Sequence, residues 1–520
     1  MTMTTSLPSL TGAPLLVVGA GIMGAGIAQI AAQAGHPVLL HDARDGAAAE
    51  AKTRLAKSLD ALVAKGKLGA DAVAQTLARI TPITALAEAA AVRLVVEAIV
   101  EKLDVKRALF RELEGLVAPD CVLATNTSSI SVTAIANGLA HPGRLVGMHF
   151  FNPVPLMKLV EVVSGLQTAP AVAEAIFALS TAWGKTPVHA KSTPGFIVNR
   201  IARPYYAETL ALLHEQAATP AVLDACLRAA GFRMGPCELM DLIGHDTNFS
   251  VTQSVFEANF YDKRYVPSGV QRELVDGGLL GRKSGRGFYV YPNDGAVLPV
   301  AVHEAPQSAG QVTVHGSGPI ADWLAERVGA ALDAQGWGPA RDTASGWTGL
   351  AIDGARLVLT DGRSATQLAA ETGCRDIAVF DRPVLMPLPA GSALAWAVAE
   401  GASDAWRAQA PAWLAALGVA PLPLADAPGL VVARTVAMLI NEGADAVQQG
   451  VCTPAGADAA MKLGVNYPAG PFEWLARWRA AEVGALLDRL DTHYRGERYR
   501  VSPWLRQRAW AESASTGAPA

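Results

Sequence analysis

Short apolar runs alternate with helix-like stretches over the first 190 residues of the chain. Residues 15–18 (LLVV) have the pattern of a buried strand, and the alanine-rich sequence AQIAAQAG follows after a glycine-rich turn. Similar strand patterns recur as PVLLHD (37–42), RLVVEAIV (93–100), CVLATNTSS (121–129), RLVGMHFFNP (144–153) and KLVEVVSG (158–165). Strands that alternate with helices predict an α/β fold, a Rossmann-like doubly wound sheet, over residues 14–191.

The pattern changes after the turn-forming sequence STPGF at residues 192–196. Apolar positions such as Ile197, Ile201, Leu210 and Leu213 then follow helical spacing, and strand patterns are few up to about residue 291. We therefore predict an all-α domain over residues 192–295.

An internal repeat organises the rest of the chain. PGFIVNR begins at residue 194 and returns as PGLVVAR at 428, an offset of 234, while MGPCELM at 234 returns as AGPFEWL at 469, an offset of 235. Although helices bounded by Pro and Gly can resemble each other by chance, two ordered matches predict a second all-α copy over residues 426–520. Residues 300–425 show strand patterns but no glycine-rich phosphate loop, which indicates a degenerate α/β segment without its own cofactor.

Composition excludes several functional classes. With 43 Lys and Arg against 47 Asp and Glu, the chain has a net charge of -4 and no basic field that would bind nucleic acid. Five separated cysteines without a CxxC pair argue against a zinc site or a disulfide scaffold and favour a reducing compartment. Because the sequence also lacks signal-peptide features and any long uncharged apolar run, we expect a cytoplasmic protein with no membrane partner.

The glycine-rich turn predicts a dinucleotide site. Gly19, Gly21 and Gly24 stand between the first strand and the first helix, where glycines allow a tight turn, approach of a pyrophosphate and close helix packing. Asp42 ends the next strand, where a carboxylate would bind the adenosine ribose and repel a 2′-phosphate, which favours NAD over NADP. The alternative is a tight turn without a ligand, with Asp42 as a solvated acid.

Polar residues at two other strand ends are candidates for catalysis. His149 ends one predicted strand, and Glu161 lies 12 positions later, where the next strand would return beside it. A carboxylate that binds histidine fixes its tautomer for use as a general base. Ser128, in NTSS at 126–129, could bind a substrate oxygen, although a simple helix cap is the alternative.

Five motifs in this order resemble one enzyme family. The sequences GAGIMGAG, VVEAIVEKLDVK, ATNTSSIS, GMHFFNPVPLMKLVEVV and STPGFIVNR together resemble the NAD-dependent L-3-hydroxyacyl-CoA dehydrogenases over residues 14–291. The repeated helical domain resembles the two-copy members of bacterial aromatic catabolism, which implies 3-hydroxyadipyl-CoA of phenylacetate degradation as a candidate substrate.

The resemblance also implies roles for individual residues. His149 would be the base, Glu161 its orienting carboxylate, and Ser128 and Asn199 the hydrogen-bond partners of the substrate oxygen. The implied NAD contacts are Gly19, Gly21, Ile22, Met23, Gly24, Asp42, Glu101, Lys106, Asn152 and Lys283, and the implied coenzyme A contacts are Ser58, Lys65 and Ser128. For Lys65 a solvated helix face is the alternative. In the second copy, Ala433 replaces Asn199, so that copy should serve packing and not catalysis.

The implied reaction is oxidation of a (3S)-3-hydroxyacyl-CoA to the 3-ketoacyl-CoA, with NAD and without a metal. Alternatives are a 3-hydroxybutyryl-CoA dehydrogenase, a dehydrogenase of free hydroxy or sugar acids, and a non-catalytic NAD-binding protein. The expected partner is an acyl-CoA. A homo-oligomer is a further expectation, in which the internal repeat replaces one dimer contact.

Overall fold

The computed structural model describes residues 9–292, 306, 311–333 and 338–516. The chain divides into two compact units, one of Met1–Arg200 with Gln449–Asn466, the other of Ile201–Gln448 with Tyr467–Ala520. A segment of the second helical copy therefore belongs to the unit that carries the glycine-rich turn. The predicted boundaries at residues 295 and 300 lie outside the described residues.

The elements follow the predicted order of an α/β region, helices, a second α/β region and further helices. The strands are β1 (Leu15–Val18), β2 (Val38–His41), β3 (Ile80–Pro82), β4 (Leu94–Glu97), β5 (Val122–Thr125), β6 (Leu145–Phe150), β7 (Leu159–Ser164), β8 (Thr186–Lys191), β9 (Val312–His315), β10 (Ala340–Asp342), β11 (Gly349–Ile352), β12 (Ala355–Leu359), β13 (Ile377–Phe380), β14 (Ser392–Val398) and β15 (Val419–Pro423). The helices are α1 (Ile22–Gln33), α2 (Ala47–Ala64), α3 (Ala70–Ala78), α4 (Leu103–Leu116), α5 (Val132–Ala136), α6 (Pro170–Ala182), α7 (Val198–Ile201), α8 (Arg203–His214), α9 (Pro220–Ala229), α10 (Pro236–Ile243), α11 (His245–Ala258), α12 (Gly269–Asp276), α13 (Pro319–Asp333), α14 (Ala365–Thr372), α15 (Asp404–Ala416), α16 (Val432–Gln448), α17 (Pro454–Val465), α18 (Pro471–Trp478), α19 (Ala480–Tyr494) and α20 (Pro503–Thr516). None of these helices combines the length and the apolar character that a membrane span requires.

The first unit contains an eight-stranded sheet in the order β3-β2-β1-β4-β5-β6-β7-β8, which confirms the predicted Rossmann-like fold. Its central strands are buried on both faces, as expected for parallel strands between two helical layers. The alternation of strands and helices fails between β6 and β7, which are antiparallel and joined directly by residues 151–158. That connection contains Pro153 and Pro155, which disfavour a helix.

The second unit contains a seven-stranded mixed sheet in the order β10-β9-β11-β12-β13-β14-β15. Here one expectation from the sequence is wrong, because a glycine turn does join a strand to a helix. Gly316 and Gly318 connect β9 to α13, and Gly316 has a positive φ of 93°. The fingerprint GSGPIA at 316–321 ends in alanine, which is why a search for three glycines misses it.

This second turn differs from the first in one chemically important position. Pro319 is the first residue of α13 and has no N–H, so the helix start offers one donor fewer to a phosphate. Gly318 has a φ of 87°, whereas Gly21 in the first turn has a φ of −70°, so the two loops follow different paths. This α/β region contains the glycines of a phosphate-binding turn. It is degenerate because Pro319 removes an N–H donor from the start of α13.

The two helical copies bind each other through reciprocal buried ion pairs inside the second unit. Glu208 of α8 and Glu442 of α16 stand 234 positions apart, and both side chains are fully buried. Tyr265 donates to Glu442 at 2.5 Å, and Tyr499, again 234 positions later, donates to Glu208 at 3.0 Å.

Arginines complete each of these two sites. Arg264 lies 3.3 Å from Glu442, and its counterpart Arg498 lies 2.9 Å from Glu208. Arg434 adds a bond of 2.6 Å to Glu208. Burial alone would raise the pKa of Glu208, but Arg498 and Arg434 outweigh it and hold that pKa below its usual range. Equivalent residues of the two copies thus make equivalent contacts, as expected for a duplicated domain.

We expect Glu208→Gln to lower the free energy of unfolding by about 3–5 kcal/mol, because it leaves the fully buried Arg434 and the partly buried Arg498 without their carboxylate. Glu215→Gln is the matched control, since Glu215 also approaches Arg434, at 3.5 Å, but is partly exposed. Its expected effect is below about 1 kcal/mol. Urea unfolding followed by circular dichroism measures both, and equal effects of the two variants would contradict this account.

Truncation after about residue 295 should expose the face of α8 that α16 covers. We expect the fragment to dimerise or aggregate while it still binds NAD, because the buried apolar surface needs a new partner. Light scattering together with NAD titration measures both properties. A fragment that stays monomeric and fully active would show that the second copy is not a built-in partner.

Candidate active site

The glycine turn between β1 and α1 has the close contacts that require glycine. Gly19 has a φ of 104°, and a Cβ atom there would lie 2.4 Å from the carbonyl oxygen of Ala98. A Cβ atom at Gly24 would lie 1.7 Å from the carbonyl oxygen of Gly19, so only glycine lets α1 start this close to the strand. At Gly21, by contrast, nothing lies within 4 Å of a Cβ position, and the loop faces open space there.

The start of α1 fits an anionic ligand. Its N-cap residue, Gly21, makes no side-chain capping bond, and the first turn contains no acidic residue. The N–H groups and the positive end of the helix dipole thus face the open space beside Gly21. Ile22 is 77% exposed at this point, whereas Met23 is partly buried. These features suit the pyrophosphate of a dinucleotide.

Asp42 follows β2 and is bound to the glycine turn. Its Oδ2 accepts a hydrogen bond of 2.7 Å from the N–H of Ala20, and its Oδ1 accepts one of 2.9 Å from the N–H of Arg44. These bonds fix a partly exposed carboxylate beside the turn. A carboxylate oxygen can accept more than one hydrogen bond, so ribose hydroxyls can also bind here.

The carboxylate of Glu161 connects the candidate base to two other parts of the chain. The antiparallel register of β6 and β7 places His149 directly opposite Glu161, and His149 Nδ1 lies 2.5 Å from Glu161 Oε2. Glu161 Oε1 accepts hydrogen bonds from the N–H groups of Ile197 (3.1 Å) and Val198 (2.9 Å). Because Nδ1 is occupied by Glu161, Nε2 is the candidate basic nitrogen of the ring.

Aromatic rings hold the imidazole from the side. The ring centroid of Phe151 lies 4.5 Å from that of His149, and the centroid of Phe196 lies 5.8 Å away in an edge-on arrangement. The His149 side chain is 6% exposed and that of Glu161 is fully buried. The pair therefore lies in a largely dry environment with few alternative orientations.

A second cluster forms around the loop after β5. Asn199 Nδ2 donates to the carbonyl oxygen of Ser128 at 3.3 Å. Glu101 Oε1 accepts hydrogen bonds from Thr127 Oγ1 at 2.7 Å and from the N–H of Ser128 at 2.9 Å. Since Asn199 directly follows Val198, which binds Glu161, this cluster is connected to the histidine pair.

Lys106 lies behind this loop and not on its open side. Its side chain is 1% exposed, with Nζ 2.6 Å from Glu97 and 3.1 Å from Glu101. Burial tends to raise the pKa of Glu101, but Lys106 and the hydrogen bonds from Thr127 and Ser128 outweigh it and lower that pKa. Lys106 thus keeps Glu101 charged and able to hold the loop.

The other four predicted contact residues are exposed. Asn152 is exposed in the connection after β6, and Ser58 and Lys65 are exposed seven positions apart, on one side of α2 and its end. Lys283 belongs to the second unit, where it forms an ion pair of 2.5 Å with Asp246.

Sequence reasoning missed Glu97 as a member of the site. Glu97 is fully buried at the end of β4 and accepts hydrogen bonds from Thr125 Oγ1 (2.6 Å) and the N–H of Ile99 (2.7 Å), besides its contact with Lys106. The available signal was a lone acid inside the apolar run VVEAIV, because a buried charge needs a partner.

Comparison with known families gives three matches in sequence order. The model for the 3-hydroxyacyl-CoA dehydrogenase NAD-binding domain matches residues 15–193, and the model for the C-terminal domain of that family matches residues 195–291 and again 429–518. The model for the 3-hydroxybutyryl-CoA dehydrogenase reduced Rossmann-fold domain matches residues 357–428. These matches cover the duplicated helical domain and part of the α/β region between its copies.

One curated relative and one solved structure match nearly the whole chain, and a third protein matches about half of it. The chain is 44% identical to the 3-hydroxyadipyl-CoA dehydrogenase of Escherichia coli K12 over 96% of its own length and 97% of that protein. A crystal structure of 3-hydroxybutyryl-CoA dehydrogenase from E. coli K12 superposes with a TM-score of 0.87 at 42% identity, covering 97% of this chain and 99% of that one. The human mitochondrial hydroxyacyl-coenzyme A dehydrogenase is 41% identical over 53% of the chain and 90% of its own length. The chain therefore belongs to the 3-hydroxyacyl-CoA dehydrogenase family and carries its NAD-binding domain.

Proposed function

We propose that the protein oxidises (3S)-3-hydroxyacyl-CoA thioesters to 3-ketoacyl-CoA with NAD. The observation that carries the proposal is the buried pair of His149 and Glu161, which holds one imidazole nitrogen and presents the other. A histidine fixed in this way suits removal of a proton from an alcohol. Bound NAD supplies the acceptor for the hydride that leaves C3.

The surrounding residues have distinct tasks in this proposal. His149 Nε2 accepts the hydroxyl proton, and Glu161 stabilises the imidazolium that forms. Ser128 and Asn199, which bind each other, orient the substrate oxygen. The turn of Gly19, Gly21, Ile22, Met23 and Gly24 would bind the pyrophosphate and Asp42 the ribose. Glu101, which is paired with the buried Lys106, would line the part of the NAD site that receives the nicotinamide.

The remaining proposed contacts rest on the family resemblance alone. They are Asn152 and Lys283 for NAD, and Ser58 and Lys65 for coenzyme A. The exposed positions of Ser58 and Lys65 on one side of α2 are compatible with a solvent-facing ligand.

For the acyl group we propose 3-hydroxyadipyl-CoA. Support comes from the E. coli relative of that name, which matches from end to end, whereas the E. coli crystal structure named for 3-hydroxybutyryl-CoA makes the four-carbon substrate the alternative. Initial rates of NADH formation with 3-hydroxyadipyl-CoA, 3-hydroxybutyryl-CoA, a long-chain 3-hydroxyacyl-CoA and the free acids separate these possibilities. Activity on a free acid alone would overturn the proposal.

We expect Asp42→Ala to weaken NAD binding by about 10- to 100-fold, because it removes charged hydrogen bonds to the ribose. The exposed Asp45→Ala, three positions away, is the control and should leave NAD binding unchanged. Fluorescence titration gives both dissociation constants. Equal catalytic efficiency of the unmodified protein with NADP and NAD would contradict the role of Asp42.

We expect His149→Ala to lower kcat by about 10²- to 10⁴-fold and to leave NAD affinity nearly intact, since the base acts only in the chemical step. His189→Ala, on β8 of the same sheet, is the matched control with unchanged kcat. Steady-state kinetics with a saturating acyl-CoA measures the effect. A fully active His149→Ala variant would refute the mechanism.

The full-length chain should bind one NADH per chain, because Pro319 deprives the second glycine turn of a donor. Isothermal titration calorimetry measures the stoichiometry. Two sites per chain, or one that survives in the Asp42→Ala variant at unchanged affinity, would show that the second turn is functional.

A further inference from the structure

The segment Gln449–Asn466 comes from the second helical copy but forms part of the first compact unit. Its α17 packs against β7, which carries Glu161, and against β8. Two bonds attach the beginning of the segment. The N–H of Lys191 donates to the carbonyl oxygen of Val451 at 2.9 Å, and Arg200 donates to Gln449 at 2.7 Å.

Gly464 near the end of α17 is buried against the surroundings of the histidine pair. A Cβ atom at this position would lie 2.6 Å from Cδ2 of Leu159, 3.1 Å from Cγ2 of Val198 and 3.7 Å from Cε1 of Phe151. The first distance is too short for carbon atoms, so a methyl group at Gly464 would displace its neighbours.

Each of these three neighbours is connected to His149 or Glu161 in a different way. Leu159 lies two positions before Glu161 on the same face of β7. The N–H of Val198 donates to the Glu161 carboxylate, and the ring of Phe151 contacts the imidazole of His149. Gly464 thus packs against residues that are connected to Glu161 and against a ring that contacts His149.

A second residue of the segment, Cys452, is partly buried. Burial raises the pKa of its thiol to about 12, with a further upward contribution from the negative charge of Glu161. The thiol is therefore neutral at ordinary pH, and Cys452 adds no charge to the surroundings of Glu161.

We propose that α17 is a positioning element of the active site, in which Gly464 sets how closely this helix packs behind His149 and Glu161. The proposal rests on the proposed function, because it assumes that His149 is the base. A helix of the duplicated copy then supports the chemistry proposed for His149 and Glu161.

The test uses Gly464→Ala in the full-length protein. We expect kcat to fall about tenfold or more, because small displacements of a catalytic group are costly. KM for the acyl-CoA and Kd for NADH should stay within about twofold, which also shows that the variant is folded. Adding Leu159→Val, which removes the δ carbons that the new methyl meets, should restore most of the lost kcat.

The matched control is Ala455→Gly, an exposed position of the same helix. It weakens α17 by about 1 kcal/mol without crowding the pair, and kcat should stay unchanged. An unchanged kcat in Gly464→Ala would overturn the proposal. Equal losses of kcat in Gly464→Ala and Ala455→Gly would also overturn it. A Gly464→Ala variant whose kcat is not restored by Leu159→Val would overturn it too.

A measurement without turnover separates this proposal from the proposed function. The side-chain ¹⁵N signals of His149, assigned through their loss in His149→Gln, should shift in Gly464→Ala and not in Ala455→Gly. If the unmodified protein oxidises no 3-hydroxyacyl-CoA, the proposed function fails, while this shift still supports the packing role. Unshifted signals in Gly464→Ala would overturn the packing role itself.

Discussion

The buried carboxylate of Glu161 is the interaction on which the candidate active site depends. Its two oxygens bind His149 on β6 and the first N–H groups of α7, and Glu161 itself lies on β7. A buried charge without partners costs several kcal/mol, so the fold must bring these three segments together. The antiparallel return of β7, an exception in an otherwise mostly parallel sheet, provides this arrangement.

A carboxylate also binds the start of the corresponding helix of the second copy, α16. Asp381 follows β13 and accepts hydrogen bonds from the N–H groups of Val431, Val432 and Ala433, as Glu161 does from Ile197 and Val198. Burial raises the pKa of Asp381 to about 6, although these N–H groups oppose the shift.

The carboxylate cap has therefore been kept in the second copy, while Ala433 replaces Asn199. The second copy thus keeps the hydrogen bonds at the start of this helix but has no amide side chain at the position of Asn199. The reciprocal sites of Glu208 and Glu442 show the same conservation of packing between the copies.

Much of this architecture could be predicted from the sequence, because it depends on local patterns. Apolar runs indicate the central strands, the glycine turn indicates the start of α1, and the spacing of His149 and Glu161 indicates their pairing across two strands. The short strand β3 has no such apolar run, and the variant glycine turn at Gly316 ends in alanine.

Other features depend on contacts between distant parts of the chain and leave little local signal. Nothing in the sequence around Lys106 indicates that this lysine is buried, but the fold places it against Glu97. Likewise, the sequence around Gly464 predicts a helix of the second copy but not that this helix belongs to the first unit. Periodicity shows which face of a helix is buried, but tertiary packing decides which surface covers that face.

The central claim, that Glu161 acts through His149, can be tested most directly by a double-mutant cycle on kcat with Glu161→Gln, His149→Ala and the double variant. If the two residues work as one unit, the double variant should be about as slow as His149→Ala alone, since the orienting group has nothing left to orient. Independent effects that multiply in the double variant would contradict the account.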